Sequence, residues 1–176
     1  MNKKRYSIAK TIAMVGIMAA ALEAVKLALA ALPNIEAVTL LIAVFSYSFG
    51  ALGLAATVVF VAIEPLIWGF GTWFISYLIY WPALSLLFIL LRHLGIKRII
   101  PITAAALVMT ALFGVLSSLV DVGIFSGSYE DLPSRFVIYY TRGIPFYLAQ
   151  LLTNLVLFPI LFKPLTKRSA IIRKRL

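Results

Sequence analysis

The sequence predicts an all-α membrane protein, a single domain of six transmembrane helices over residues 1–176 with both termini in the cytoplasm. Three observations carry this. Apolar residues make up 63% of the 176 positions and charged residues only 12%, and the apolar runs are too long and too many to be the core of a soluble domain of this size. Turn-forming segments cut the apolar sequence into six pieces. Lys and Arg gather at both ends of the chain and in one internal loop, which explains the net charge of +10 as a topology signal and not as a nucleic-acid footprint.

In chain order, the windows give helices at about residues 8–31, 36–49, 51–68, 73–92, 99–125 and 136–162. The breaks are "LPN", "SFGALG", "GFG", "RHLGIKR" and "SGSYEDLPS". The second helix is short. The apolar stretch after "MNKKRY" runs for a full bilayer thickness without the n-h-c pattern of a secretory leader, so it is expected to remain as a span. With six spans, the "KKR" start, the loop after helix four and the "TKRSAIIRKRL" end share one side, and the positive-inside rule makes that side cytoplasmic. Thirteen of the sixteen Lys and Arg fall there, whereas all six acids map to the outer half or the outer loops.

The chemistry left to the chain is narrow. It has no cysteine and one histidine, His93, beside Arg92 in a basic loop, so thiol, disulfide and cysteine-metal chemistry are excluded. No nucleophile elbow, histidine metal cluster or phosphate loop is present. The chain therefore reads as a non-enzyme without cofactor or metal.

The polar residues of the outer half carry the functional reading. Glu23 lies about 24 Å along helix one at 1.5 Å per residue, and Lys26 follows three positions later. The two could form a local ion pair, and in either case this face should point inward, because charges at bilayer depth face protein or a cavity. In "FVAIEPLIWGFGTWFISYLIYW", Glu64 precedes Pro65, which removes a backbone donor and frees the carbonyl of Val61. Glu64 either snorkels to the interface or belongs to a cavity walled by Trp68, Trp73, Tyr77, Tyr80 and Trp81. Those rings fit an interfacial aromatic belt as well, but Tyr80 and Trp81 lie deeper than a belt. Helix six opens "RFVIYYTRGIPFYLAQLLTN". Its Arg142 should meet Glu64, Asp121, Glu23 or a bound anion, while Gln150 and Asn154 fit hydrogen bonding between helices. The sum is a polar, aromatic cavity open to the outside and closed by apolar packing on the cytoplasmic side, which suits capture of a small molecule.

In helix one, Gly16, Ala20, Ala24 and Ala28 recur every four residues, with Ala9 and Ala13 a similar pair. Such a ladder lets another helix approach closely, either inside the bundle or from a partner. The opening "TIAMVGIMAAALEAVKLALAALPN" and the following "VTLLIAVFSYSFGALGLAATVVF" resemble the substrate-binding S components of energy-coupling factor (ECF) transporters, small six-helix proteins that capture vitamins. The likeness covers the whole chain in length and span count, and at motif level about the first seventy residues. It implies an S-component-like bundle in a prokaryotic cell membrane that binds a vitamin-like micronutrient. It also implies partners, a membrane coupling protein and two ATPase subunits, docked through Ala13, Gly16, Ala20 and Ala24. By position it implies substrate contacts from the loops "LPNIE", "GFGTW" and "SGSYEDLPS", hence Asn34 and Glu36, with Tyr139 beside Arg142. Glu64, Trp68, Trp73, Tyr77 and Arg142 complete the expected site. A proton-coupled secondary carrier, with Glu23, Glu64 or Asp121 as its proton site, is the alternative.

Overall fold

The computed structural model describes residues 7–32, 34–125 and 131–175. Six helices alternate in direction: α1 (Ile8–Leu29), α2 (Val38–Phe49), α3 (Ala51–Trp68), α4 (Thr72–His93), α5 (Ile99–Phe125) and α6 (Leu132–Arg175). Among the described residues there is no strand. Among the described residues five helices are long and apolar enough to cross a membrane, and α2 is a shorter apolar helix. Large apolar side chains such as Ile17, Leu66 and Ile100 are 70 to 80% exposed on the outside of the bundle, as lipid-facing surfaces require. The alternation puts Lys10, Arg92, Lys97, Arg98 and the last turns of α6 at one end, the basic end. Glu23, Glu36, Glu64, Asp121 and Asp131 lie toward the other, the acidic end.

The short α2 organises the rest. Eight of its twelve residues are buried, and it packs against α4, α6 and α3 while also touching α1 and α5. Its length of about 18 Å falls well short of a hydrocarbon core of about 30 Å. The deficit lies at the acidic end, because Gly50 alone joins α2 to α3 at the basic end. Gly50 has φ 63°, a left-handed conformation that costs glycine nothing. Three residues on, Gly53 lets α3 rest against the α2 backbone: a Cβ there would stand 2.5 Å from the carbonyl carbon of Phe45. With α2 held down in this way, residues 34–37 lie within the bundle as they lead into its N-terminus. Irregular backbone at such depth is tolerated only where protein or a cavity surrounds it.

Helix boundaries fall close to those read from the sequence: α1 ends at Leu29, two residues earlier than expected, and two further differences have a visible cause. Helix α2 begins at Val38, not 36: Ala37 is its N-cap residue, and the Glu36 side chain just before it binds the first turn, one carboxylate oxygen accepting from the Thr39 amide at 2.9 Å and the other from the Thr39 hydroxyl at 2.6 Å. Helix α6 begins at Leu132 and runs to Arg175, far beyond the expected end at 162. Pro164 and the basic run read as stop signals, yet the Thr166 hydroxyl donates to the carbonyls of Phe162 and Lys163. Ser169 is buried, and Arg173 donates to the carbonyl of Ser48 at 2.9 Å. These contacts hold the last turns against the basic end.

Below the cavity the core is apolar. Phe88, Phe158 and Phe162 are almost fully buried, with ring centroids 5.8 to 5.9 Å apart. Leu40, Ile42, Val44, Leu84 and Ile102 fill the space around them.

Candidate functional site

A cavity of about 200 Å³ occupies the space that α2 leaves at the acidic end. Segment 30–36 covers it with Leu32, Asn34, Ile35 and Glu36, and Lys26 and Leu29 come from the last turn of α1. Thr39 of α2, Phe60 of α3 and Tyr77, Tyr80 and Trp81 of α4 form its walls with Thr110 and Phe113 of α5 and Gln150 of α6. The aromatic wall follows from spacing: Trp73, Tyr77 and Trp81 recur every fourth residue on one face of α4. Adjacent rings in this row meet edge to face, with centroids 5.2 and 5.5 Å apart. Tyr80 and Trp81 continue the wall to Phe113, whose centroid lies 4.8 Å from that of Tyr80. The indole nitrogen of Trp81 is buried and has no hydrogen-bond partner in the protein.

Two polar clusters flank these rings. In the first, the Lys26 ammonium donates to Oε2 of Glu64 and stands 5.1 Å from the ring centroids of Trp68 and Tyr77 and 5.8 Å from that of Trp73. Cation–π contacts of this kind stabilise a desolvated ammonium by about 2 kcal/mol. Glu64 is fully buried and Lys26 only partly. Glu23 lies against Glu64, and neither of its buried oxygens has a hydrogen-bond donor. Gly69, with φ 76°, ends α3 and turns the chain so that the α3 end and the α4 start present their rings to one ammonium group.

In the second cluster, Asn154 of α6 donates to Oε1 of Glu36 at 2.9 Å and to the hydroxyl of Thr110 at 3.1 Å. Gln150, one turn earlier, donates to Oδ1 of Asn34 at 3.1 Å. Asn34 itself takes a left-handed conformation, φ 59°, which asparagine tolerates. Glu36 thus holds the first turn of α2, ties it to α6 and stands level with the middle of α5. Among the described residues no group of three His, Asp or Glu is placed to hold a metal ion.

The expected site residues divide accordingly. Glu64, Trp68, Trp73 and Tyr77 come together around Lys26, but of these four only Tyr77 lines the cavity, whereas Asn34 and Glu36 both line it and come together against α6. Arg142 and Tyr139 are exposed on α6, where Tyr139 lies beside Asp121. The expected meeting of Arg142 with Glu64 is corrected: α6 packs against α5 and α2 but touches neither α3 nor α1, so Glu64 takes Lys26. The local Glu23–Lys26 pair is replaced as well, since Lys26 reaches across to Glu64 of α3. The loop "SGSYEDLPS" falls largely on residues 126–130, outside the described residues. Phe60, Thr110 and Phe113 lie outside the expected set, as apolar or hydroxyl residues within apolar helices carry no sign of which face meets a cavity.

Ala13, Gly16, Ala20 and Ala24 all lie exposed on α1, and a Cβ on Gly16 would meet no atom within 4 Å. The ladder therefore does not serve close packing inside this chain. No family model matches the chain, and no curated protein or solved structure matches it significantly.

Proposed function

We propose that this protein is the substrate-binding subunit of an energy-coupling factor type importer, capturing a small, vitamin-like micronutrient for ATP-driven uptake across a prokaryotic cell membrane. The observation that carries the reading is the one-sided cavity, which has rings and amide or hydroxyl groups at the acidic end and a tightly packed phenylalanine layer beneath. At about 200 Å³ it is smaller than the roughly 300 to 1,000 Å³ of drug-sized sites. It suits a compact ring system stacked on Tyr77, Tyr80 or Trp81, with polar edges meeting Lys26, Asn34, Gln150 and the free indole N–H of Trp81. The chain has no G-x-x-x-x-G-K-[ST] sequence, so ATP hydrolysis belongs to partners. The exposed small-residue face of α1 supports docking of a membrane coupling protein.

When the chain is co-expressed with a coupling protein and its two ATPases, the complex is expected to co-purify, and mass spectrometry of the bound fraction should name the substrate. Ala20→Leu or Ala24→Leu should abolish co-purification and leave the melting temperature of the isolated chain within about 2 °C, as exposed substitutions do. A large drop in that melting temperature would remove the docking role. The basic end is taken as cytoplasmic. Single cysteines placed in the naturally cysteine-free chain at Ile35 and Leu94 should label from outside and inside respectively, and the reverse pattern would invert the orientation.

A proton-coupled carrier is the second reading, favoured by Glu23 lying against Glu64 without a donor of its own. It requires substrate uptake by proteoliposomes holding this chain alone under a proton gradient, whereas the leading reading requires none without the ATPases.

A further inference from the structure

At the basic end, far from the cavity, three helices converge on one carbonyl. Arg92, in the last turn of α4, and Arg173, near the end of α6, each donate Nη1 to the carbonyl oxygen of Ser48 at 2.9 Å. A C-terminal helix carbonyl commonly draws one cation. Two guanidinium groups on one neutral oxygen leave both positive charges uncompensated, and no carboxylate among the described residues lies at this end. Each guanidinium has five N–H donors in a fixed fork, and the bond to Ser48 uses one.

The notch beside these groups holds about 90 Å³ and is lined by Tyr47, Ser48, Arg92, Thr166, Ala170 and Arg173. Ser48 is only 7% exposed, and its buried hydroxyl has no hydrogen-bond partner. An orphaned buried hydroxyl is rare unless a ligand or water completes it. The other hydroxyls of the notch are occupied: Tyr47 donates to the carbonyl of Ile96, and Thr166 to its own helix. A small space with two forked cations and one free O–H donor, and no acid, has the chemistry of a tetrahedral oxyanion site.

A wider groove adjoins it through Tyr47 and Thr166, with Lys97, Lys163 and Lys167 on its polar side and Ile102, Phe162 and Ile171 on its apolar side. Cations above apolar side chains, at the end of the spans, match the headgroup and upper acyl region of an anionic phospholipid. The geometry points to a phosphate-binding site formed by Ser48, Arg92 and Arg173, taking the phosphate of an anionic lipid headgroup or free phosphate. A phosphate held there would clamp the ends of α2, α4 and α6 together.

The test is thermal unfolding of the full chain in a non-ionic detergent, titrated with phosphatidylglycerol, phosphatidylcholine or inorganic phosphate at constant ionic strength. Phosphatidylglycerol is expected to raise the melting temperature in a saturable way, and phosphatidylcholine much less. Ser48→Ala leaves both carbonyl contacts in place and Arg173→Gln alters an exposed side chain, so both variants should fold. Each should weaken the apparent affinity about tenfold, the loss of one bond to a charged group, whereas Arg98→Gln, outside the notch, should barely change it. A saturable response to inorganic phosphate alone, lost in the same two variants, would support the site and make free phosphate its source. Equal responses in wild type, Ser48→Ala and Arg173→Gln, or no response to any phosphate, would overturn it.

Discussion

Replacing Lys26 by Met is expected to destabilise the protein by about 3 to 5 kcal/mol, the cost of stranding a buried charge, and to abolish substrate binding. Glu64 is fully buried, Lys26 is the donor to its Oε2, and its other oxygen has no partner. Glu23 adds a second carboxyl with no donor, so removing the ammonium leaves two acids in an apolar surround. Glu64→Gln should be milder, because Lys26 is 24% exposed and keeps its three aromatic faces. The double variant Lys26→Met, Glu64→Gln should be more stable than Lys26→Met alone, since it removes the group that was stranded. Melting temperatures of the four proteins in detergent measure the coupling. Additive losses would show that the pair is incidental. The corresponding cycle between Glu64 and Arg142 should be additive, and Arg142→Gln alone should stay within about 0.5 kcal/mol, because α3 and α6 do not touch.

That contrast marks what is legible in the sequence. Hydropathy and turn residues locate the six helices, with every boundary except the end of α6 within a few positions, since the energetic demand that every backbone group in lipid be paired leaves little choice. The aromatic wall is legible from the fourfold spacing of Trp73, Tyr77 and Trp81, and the depth of Glu64 from its place within an apolar run. Which helices lie side by side is not. Arg142 and Glu64 are opposite charges at comparable height, and only the placement of α6 on the far side of α5 and α2 keeps them apart. Nor is the length of α6 legible: Pro164 and the charges after it are local signals for an end, and they are overruled by tertiary contacts such as that of Arg173 with Ser48. The cavity itself follows from the shortness of α2, read from the sequence as residues 36–49 and found to hold only twelve residues. A helix too short to span leaves a void, and its position at the acidic end is set by the tight turn at Gly50.

The cover of that void should fail when one atom of Glu36 is changed. Its Oε1 accepts from the Thr39 hydroxyl and from Asn154, and its Oε2 accepts from the Thr39 amide. In Glu36→Gln the new NH₂ group must replace one of these oxygens. At Oε2 it faces the Thr39 N–H, and at Oε1 it faces the NH₂ of Asn154, which escapes the clash only by turning its amide and leaving its own NH₂ buried without an acceptor where Oδ1 now lies. The expected loss is about 1 to 3 kcal/mol, the penalty for a buried polar group left unsatisfied, together with freer movement of the α2 N-terminus and weaker substrate binding. Asn154→Asp alone should cost more, as it sets two carboxylates against each other in a buried position. The two changes combined restore complementarity. The oxygen of the introduced glutamine accepts from the Thr39 amide and its NH₂ donates to the introduced aspartate, while the Thr110 hydroxyl turns from the carbonyl of Ala106 to donate to the same acid. The double variant is therefore expected to regain most of the melting temperature that either single variant loses. Because the negative charge has then moved from α2 to α6, substrate affinity in the double variant reports on the second role of Glu36. Full recovery of binding along with stability would mean that Glu36 only holds the cavity open, and recovery of stability without binding would mean that its charge touches the substrate. Single variants as stable as the wild type would show that this network does not hold α2 to α6.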